Sequence, residues 1–406
     1  METQTLKTER LHSLDSLRAI MMLLGLVLHA AITYGTLDYG NAWILKDPNT
    51  THLFNDFIVV FIHEFRMQLF FVVAGFFGAM LFYKKSPYQM LKNRLHRVFI
   101  PFVVFVLLLW PTVMFTFSYT EFIFNGSSNA LNETLSRFSS FKSFIPPLTF
   151  HLWFLYYLTL ISLVVVVIAL ILKKLPTLTT RTTLVFSWLI QKPLLRVLFL
   201  GGLTAIVYHF MGTWSVDTST SFIPDLNTFT YYGIFYVVGW ILFKSKHHLD
   251  SLMKFDWFCT LLGIALFTLY FFMYNAFIYE THILLKSIMV WLLIFGITGL
   301  FIRYTSNYSS TMRYISDASY WVYLIHLSIA AIIPGLIANW PIHGTLKFLF
   351  VMFSNGIICF VSYHYLVRET FIGQFLNGRK YSRKISDIKK AEELARLNNK
   401  SVATTS

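Results

Sequence analysis

Two ionisable side chains, Arg18 and His29, lie eleven residues apart inside the first long apolar segment, residues 14–35. An α-helix rises about 1.5 Å and turns about 100° per residue, so eleven residues span about 16 Å and return to nearly the same face. In a membrane helix this spacing would put a cation near one surface and an imidazole deep in the bilayer. Ionisable groups at that depth are costly, so the pattern favours a functional site. The alternative is structural, with Arg18 reaching the surface and His29 bonded to a neighbouring helix.

The second apolar segment, residues 55–83, carries polar groups at about the depth expected for His29. They are His63, Glu64, Arg66 and Gln68. The first and third share one helix face, and the second and fourth share another. A carboxylate near an imidazole can orient the ring for general base catalysis. The predicted catalytic residues are therefore His29, Glu64 and His63, and the other two polar groups are predicted to bind or support the substrate. Alternatively, Glu64 and Arg66 only neutralise charges across helix contacts.

Two arginines, Arg94 and Arg97, stand at the start of the third apolar segment, residues 98–118. A guanidinium presents a planar fork of donors that suits phosphate. Arg18 is expected at the same membrane level, so the three side chains could surround one phosphate-bearing ligand. The alternative is that they only orient the chain in the membrane, because every loop on that side carries similar cations.

Further candidates open the fourth apolar segment and occupy the ninth. His151 and Trp153 begin the fourth, whereas Tyr323 and His326 belong to the ninth, with His326 about 14 Å from its start. All four are predicted to bind or support the substrate. Trp153 and the tyrosines after it are most simply an interfacial aromatic belt, and packing explains His326 better than chemistry. Metal-type spacings are absent from the sequence, so we expect no metal and no permanently bound cofactor.

The composition is that of an integral membrane protein. Of the 406 residues, 56% are hydrophobic and only 13% are charged, about half the charged fraction of a soluble protein. A membrane-spanning helix needs about 20 apolar residues. Ten apolar segments of 16 to 29 residues are candidates for such helices: 14–35, 55–83, 98–118, 152–172, 195–212, 228–243, 256–277, 281–302, 317–338 and 346–367. The sequence therefore predicts an all-α polytopic membrane protein with about ten transmembrane helices.

Lysine and arginine gather in alternate loops, and the net charge is +14. The positive-inside rule places these loops and both termini in the cytoplasm. Anionic headgroups of the lipid bilayer are sufficient partners for this charge, and we expect no nucleic acid. We divide the chain into a transmembrane domain, residues 1–370, and a basic cytoplasmic tail, residues 371–406. Four apolar residues of the tail would permit a short amphipathic helix on the inner surface: Ile385, Ile388, Leu394 and Leu397.

These motifs resemble the membrane-bound acyltransferase-3 family, which has R-x10-H in the first span and R-x-x-R at the start of the third. Here the two patterns are Arg18/His29 and Arg94/Arg97. Further matching stretches are 14–19, 24–25, 54–58, 63–71, 75–77, 151–155 and 323–326. They are similar to the glucan biosynthesis protein C subgroup, which succinylates periplasmic glucans. Two departures are Ala74, where many members have serine, and Glu64, which is outside the family pattern.

The resemblance implies a bacterial inner-membrane O-acyltransferase. Its co-substrate would be cytoplasmic acyl-CoA, and its acceptor a hydroxyl of a periplasmic glucan or other cell-envelope carbohydrate. The acyl group would be succinyl or acetyl. The three arginines would then hold the nucleotide phosphates, and His29 would act as general base or transient acyl carrier. The alternatives are a transporter or flippase of an anionic or acylated small molecule, and a structural membrane subunit.

Overall fold

The computed structural model describes residues 2–216, 218–384 and 386–387, with side chains from His12 onward, and these residues form helices and loops without a strand. The first seven helices are α1 (Glu2–Ala31), α2 (Leu53–Lys84), α3 (Pro87–Arg94), α4 (Ile100–Phe124), α5 (Ala130–Ser136), α6 (Trp153–Leu172) and α7 (Pro176–Ile190). The others are α8 (Pro193–Met211), α9 (Leu226–Lys244), α10 (Asp256–Phe272), α11 (Tyr279–Tyr304), α12 (Ser310–Leu336), α13 (Gly344–Ser362) and α14 (Phe371–Asn377). The predicted all-α fold is confirmed.

Nine stretches of the described chain are long and apolar enough to cross a membrane. In one of them, α3 continues through a π-helical turn at Leu95–Phe99 into α4, which gives a single stretch of 38 residues. A tenth span results if the 3-10 segment Lys246–Met253 and α10 are counted together, across a bend of 64°. The predicted number of about ten is thus confirmed, and the protein is a multi-pass membrane protein. The helix α7 was not predicted, because its residues are threonine-rich and too few to span a bilayer.

The helices α2 and α9 cross at very close range. A Cβ atom on Gly75 would collide with the carbonyl group of Tyr236, and one on Gly239 would collide with that of Val72. A side chain therefore cannot be placed at either glycine without moving the opposite backbone. Small residues at such crossings let membrane helices gain close van der Waals contact. This crossing fixes α2, the helix that carries four of the predicted site residues.

The cations of alternate loops collect where α2, α6 and α9 end, here called the basic end. Lys173 follows α6 and lies over the ring of Phe82, 4.7 Å from its centroid. Lys244 ends α9 and lies over the ring of Tyr83 at 5.3 Å. These cation–π contacts bring the three helix ends together, in line with the charge pattern of the sequence.

Residues 371–384 of the predicted tail pack onto the same region. Arg97 donates to the carbonyl oxygen of Leu376 in α14 at 2.9 Å, and Arg313 donates to the hydroxyl of Tyr381 at 3.0 Å. The packed fold therefore continues past the predicted boundary at residue 370. The four apolar positions predicted to form an amphipathic helix lie outside the described residues.

At the opposite end, a fully buried ion pair fixes the loop between α1 and α2. Nζ of Lys347 lies 2.9 Å from the carboxylate of Asp47, and both side chains are inaccessible to solvent. Lys347 also donates to the carbonyl oxygen of Ala338 at 2.9 Å. The loop held in this way carries Trp43, whose ring contacts His29.

Candidate active site

Three histidines from separate parts of the chain meet inside the bundle. His29 lies in the last turn of α1, His326 lies in α12, and His151 lies in a 3-10 turn just before α6. The ring centroid of His326 is 5.3 Å from that of His29 and 5.4 Å from that of His151. Trp43 also contacts His29, at 5.2 Å. We call the three histidines the histidine chamber.

Backbone carbonyls fix the tautomers of two of these rings. Nδ1 of His326 lies 2.8 Å from the carbonyl oxygen of Tyr323. Because a carbonyl only accepts, Nδ1 carries the proton in the neutral ring and Nε2 is free to accept one. In His151 the pattern is reversed, since Nε2 donates to the carbonyl of Leu324 at 3.0 Å. Tyr323 also donates its hydroxyl to the carbonyl of His151 at 2.7 Å. The remaining nitrogens of these two rings, and Nδ1 of His29, are buried without a partner among the described residues.

Arg66, on α2, faces the chamber. A Cβ atom on Gly25 would lie 2.5 Å from Nη1 of Arg66 and 3.7 Å from Nε2 of His326. Gly25 precedes His29 by four residues, so both lie on one face of α1. His63 precedes Arg66 by three residues, and its exposed ring donates Nδ1 to a carbonyl of its own helix at 3.2 Å. The arrangement combines proton-accepting imidazoles with a fixed positive charge.

Glu64 does not orient an imidazole, which corrects the sequence prediction. Its buried carboxylate lies 3.5 Å from Nζ of Lys286 on α11. Gln68, one turn further along α2, donates to the hydroxyl of Tyr231 on α9 at 3.3 Å. The two side chains share one helix face, as their spacing indicated. That face turns toward α9 and α11, however, and away from the chamber.

Two of the three arginines expected to bind phosphate contact the same turn of α2. Arg94 donates Nη2 to the carbonyl oxygen of Ala74 at 2.9 Å. Arg18 lies over the ring of Phe77, 5.6 Å from its centroid, and its 37% exposed side chain pairs with Asp15 of the same helix at 3.2 Å. The two guanidiniums thus lie beside the same turn of α2, which we call the arginine level, and Nε of Arg94 has no hydrogen-bond partner among the described residues.

Arg97 is held differently from the other two arginines. Its Nη1 donates to α14, and its backbone carbonyl accepts from the hydroxyl of Tyr320 at 3.0 Å. Part of its guanidinium is therefore used by the segment that follows α13. Arg97 therefore lies at the edge of the arginine level, next to α14.

Trp153 and Tyr157 are not part of an interfacial belt, which corrects the prediction for the start of α6. Their side chains are 6% and 0% exposed, respectively. Trp153 packs on Tyr232 of α9 with centroids 5.3 Å apart, and the hydroxyl of Tyr157 accepts from the backbone of Asp225 at 2.8 Å. Aromatic residues at the end of an apolar segment suit a lipid interface or a core equally well, so only the packing distinguishes the two.

Sequence reasoning missed two residues of this region, Trp43 and Lys286, and it marked Gly25 only as part of a stretch that matches the family. No spacing rule marks Trp43, because a folded loop brings it to His29. Lys286 did carry a signal in the sequence, because it is a cation within an apolar segment and a cation there needs a counter-charge. Among residues 2–216, 218–384 and 386–387, no group of three or more histidine, cysteine, aspartate and glutamate side chains is arranged to hold a metal ion.

Comparison with known proteins identifies the family. The sequence profile of the acyltransferase-3 family, described as "Acyltransferase domain", matches residues 11–364. The chain is similar to "Glucans biosynthesis protein C" of Escherichia coli O139:H28 and of Escherichia coli K12. In both cases it is 24% identical over 345 residues, which cover 82% of this chain and 86% of the relative. No solved structure matches the chain. The protein belongs to the acyltransferase-3 family and is a membrane acyltransferase.

Proposed function

We propose that the protein is an O-acyltransferase of the bacterial inner membrane. It would move a succinyl or acetyl group from cytoplasmic acyl-CoA to a hydroxyl of a periplasmic glucan or another cell-envelope carbohydrate. The observation that carries this proposal is the histidine chamber, with its unpaired imidazole nitrogens, about 16 Å along α1 from Arg18. The name of the Escherichia coli relatives supports a role in glucan biosynthesis.

The acyl donor would bind with its phosphates at Arg18 and Arg94. Each guanidinium can bind phosphate oxygens with two parallel hydrogen bonds, and Arg97 would add a contact at the rim. An extended pantetheine arm could cover the distance along α1 and deliver the thioester to the chamber. The acceptor would enter from the other side of the membrane, where the loop containing Trp43 lies.

The transfer step needs a group that takes the acceptor's proton. His29 would accept that proton as the hydroxyl oxygen attacks the thioester carbonyl. The new C–O bond forms, the C–S bond breaks, and the proton passes to the departing CoA thiolate. In the alternative route, a nitrogen of His29 first takes the acyl group from CoA and then passes it to the hydroxyl. Both routes convert a thioester and an alcohol into an ester and a thiol.

Purified protein in detergent provides the test. With acetyl-CoA or succinyl-CoA, release of the CoA thiol should depend on an added glucan oligosaccharide, and mass spectrometry should find the ester on the sugar. Folded protein that releases no thiol with either donor would refute acyl-CoA as the co-substrate. A transporter or flippase would instead move its cargo across proteoliposomes without thiol release.

The proposal also requires the basic end to face the cytoplasm. Lys85 and Ser128 are both exposed, in the loop after α2 and in the loop after α4. Ser86 is a poorer labelling site because its hydroxyl caps α3, and the native Cys259 and Cys359 are buried. A membrane-impermeant maleimide should label Ser128→Cys in intact spheroplasts and should label Lys85→Cys only after lysis. The opposite pattern would invert the orientation.

A further inference from the structure

Arg66 is a cation inside the bundle that has no counter-charge among the described residues. It sits near the middle of α2, its side chain is half-buried, and its Nε is buried with no hydrogen-bond partner in the part of the chain that the structure describes. Within the described chain, no carboxylate lies within 4 Å of its guanidinium, since the adjacent Glu64 pairs with Lys286. A guanidinium does not lose its proton in a protein, so the charge stays in place.

Other cations in the apolar spans have ion-pair or hydrogen-bond partners. Three of them show the usual solutions: Lys286 pairs with Glu64, Lys347 pairs with Asp47, and Arg196 donates to three backbone carbonyls. Unpaired charges at membrane depth are costly and usually mark a site of function. The N–H groups of Arg66 that have no partner among the described residues therefore indicate a ligand that carries negative charge.

The neighbours of Arg66 indicate where the negatively charged part of this ligand would lie. Nη1 lies against the backbone of Gly25, on the face of α1 that also carries His29. Nε2 of His326 borders the same position of Gly25, 3.7 Å from where its Cβ would lie, and the ring of His326 is 5.3 Å from that of His29. An acyl group placed for attack at the chamber would have its carbonyl oxygen near this guanidinium.

We propose that Arg66 is a catalytic residue that binds the oxyanion formed on the thioester carbonyl during acyl transfer. As the acceptor oxygen bonds to the carbonyl carbon, the electron pair of the C=O bond moves to its oxygen, and Arg66 donates hydrogen bonds to that oxyanion. The pair returns as the C–S bond breaks and the thiolate leaves. Removing one such donor typically costs about 10²–10³-fold in kcat. This inference rests on the proposed function.

The test compares three variants with wild type, using acetyl-CoA and succinyl-CoA as donors. Arg66→Gln should lower kcat about 10²–10³-fold for both donors while the KM for each donor changes little. Arg66→Lys keeps the charge without the planar fork, so it should recover part of the loss. Gly25→Ala retains Arg66 but displaces its guanidinium, because the new Cβ would lie 2.5 Å from Nη1, and it should also lower kcat.

Arg137→Gln is the matched control, since Arg137 follows α5 and pairs at 3.0 Å with Glu121 in the last turn of α4, neither of which belongs to the chamber. It should keep wild-type activity. Size-exclusion profiles and thermal unfolding in detergent establish that each variant is folded, and Gly25→Ala serves if Arg66→Gln does not fold.

Two results would overturn the inference. Folded Arg66 variants with wild-type kcat would remove any catalytic role. A loss of kcat confined to succinyl-CoA would show that Arg66 binds the carboxylate of the succinyl group rather than the oxyanion that forms with both donors. Wild-type protein that transfers neither acyl group refutes the proposed co-substrate instead, so the two failures are distinguishable.

Discussion

Replacing His29 is the most direct perturbation of the proposed mechanism. His29→Gln keeps a polar side chain of similar length but removes the basic nitrogen. His29 makes no hydrogen bond to another described residue, and its main neighbours are the rings of Trp43 and His326. The change therefore leaves no partner unsatisfied, and we expect a stability cost of no more than about 2 kcal/mol, in the usual range for single substitutions.

The effect on activity should be much larger than the effect on stability. Loss of a general base typically costs about 10²–10⁴-fold in rate, which corresponds to about 3–5 kcal/mol of barrier at 1.36 kcal/mol per factor of ten. Loss of a covalent acyl carrier would cost at least as much. Binding of acyl-CoA should be nearly unchanged, because Arg18 lies about 16 Å away along α1.

The assay is acceptor-dependent thiol release from acyl-CoA by detergent-purified protein, with donor binding measured separately. His209→Gln is a suitable control, since His209 is exposed near the end of α8, a helix that carries none of the chamber residues. Labelled donor added without acceptor separates the two routes. Protein-bound label that disappears in His29→Gln favours an acyl-imidazole, and its absence in wild type favours direct attack.

One result would refute the reasoning. If His29→Gln is folded, binds acyl-CoA and retains transferase activity within about tenfold of wild type, then His29 neither accepts the proton nor carries the acyl group. His326 would then become the leading candidate, because its tautomer leaves Nε2 free to accept a proton.

Three further outcomes are expected. Arg94→Ala should raise the KM for acyl-CoA about 10–100-fold through loss of charge-assisted hydrogen bonds, with Arg97→Ala weaker because α14 already uses part of that guanidinium; unchanged donor affinity in both would show that these arginines only orient the chain. His326→Gln should lower kcat, but less than His29→Gln, and an equal loss would make the two histidines equivalent. Lys347→Met should destabilise the protein by about 3–5 kcal/mol, because it leaves the fully buried Asp47 unpaired. Thermal unfolding should show that the double variant Asp47→Asn/Lys347→Met recovers part of the lost stability.

The helical architecture could be predicted because the bilayer imposes length and composition on each span. The same rule could not find α7, which is a short helix in a polar loop. Nor could it decide whether Trp153 lies at the lipid interface or in the protein core, since an aromatic residue at the end of an apolar segment is common in both places. Packing against α9 decided that case, and packing is not a property of one segment.

Helix spacing predicts which side chains share a face, but it does not predict which helix that face contacts. The spacing of Glu64 and Gln68 gave their common face, but only the three-dimensional structure shows that this face meets Lys286 on α11. Likewise, Arg66 was assigned a supporting role from its depth. Its lack of a counter-charge depends on what α1 and α12 present to it, which no periodicity in α2 encodes.

Two rigid helices account for the part of the site that could be placed from sequence. The helix α1 carries Arg18 and His29, eleven residues apart. The helix α2 carries Arg66 and the Ala74 carbonyl that holds Arg94, eight residues apart. Helical rise converts these intervals to about 16 Å and about 12 Å, so the separation between the arginine level and the chamber does not depend on loops. A donor bound by its phosphates would therefore have its thioester positioned by the length of its own arm, and shortening that arm by a few ångströms should abolish transfer while leaving binding intact.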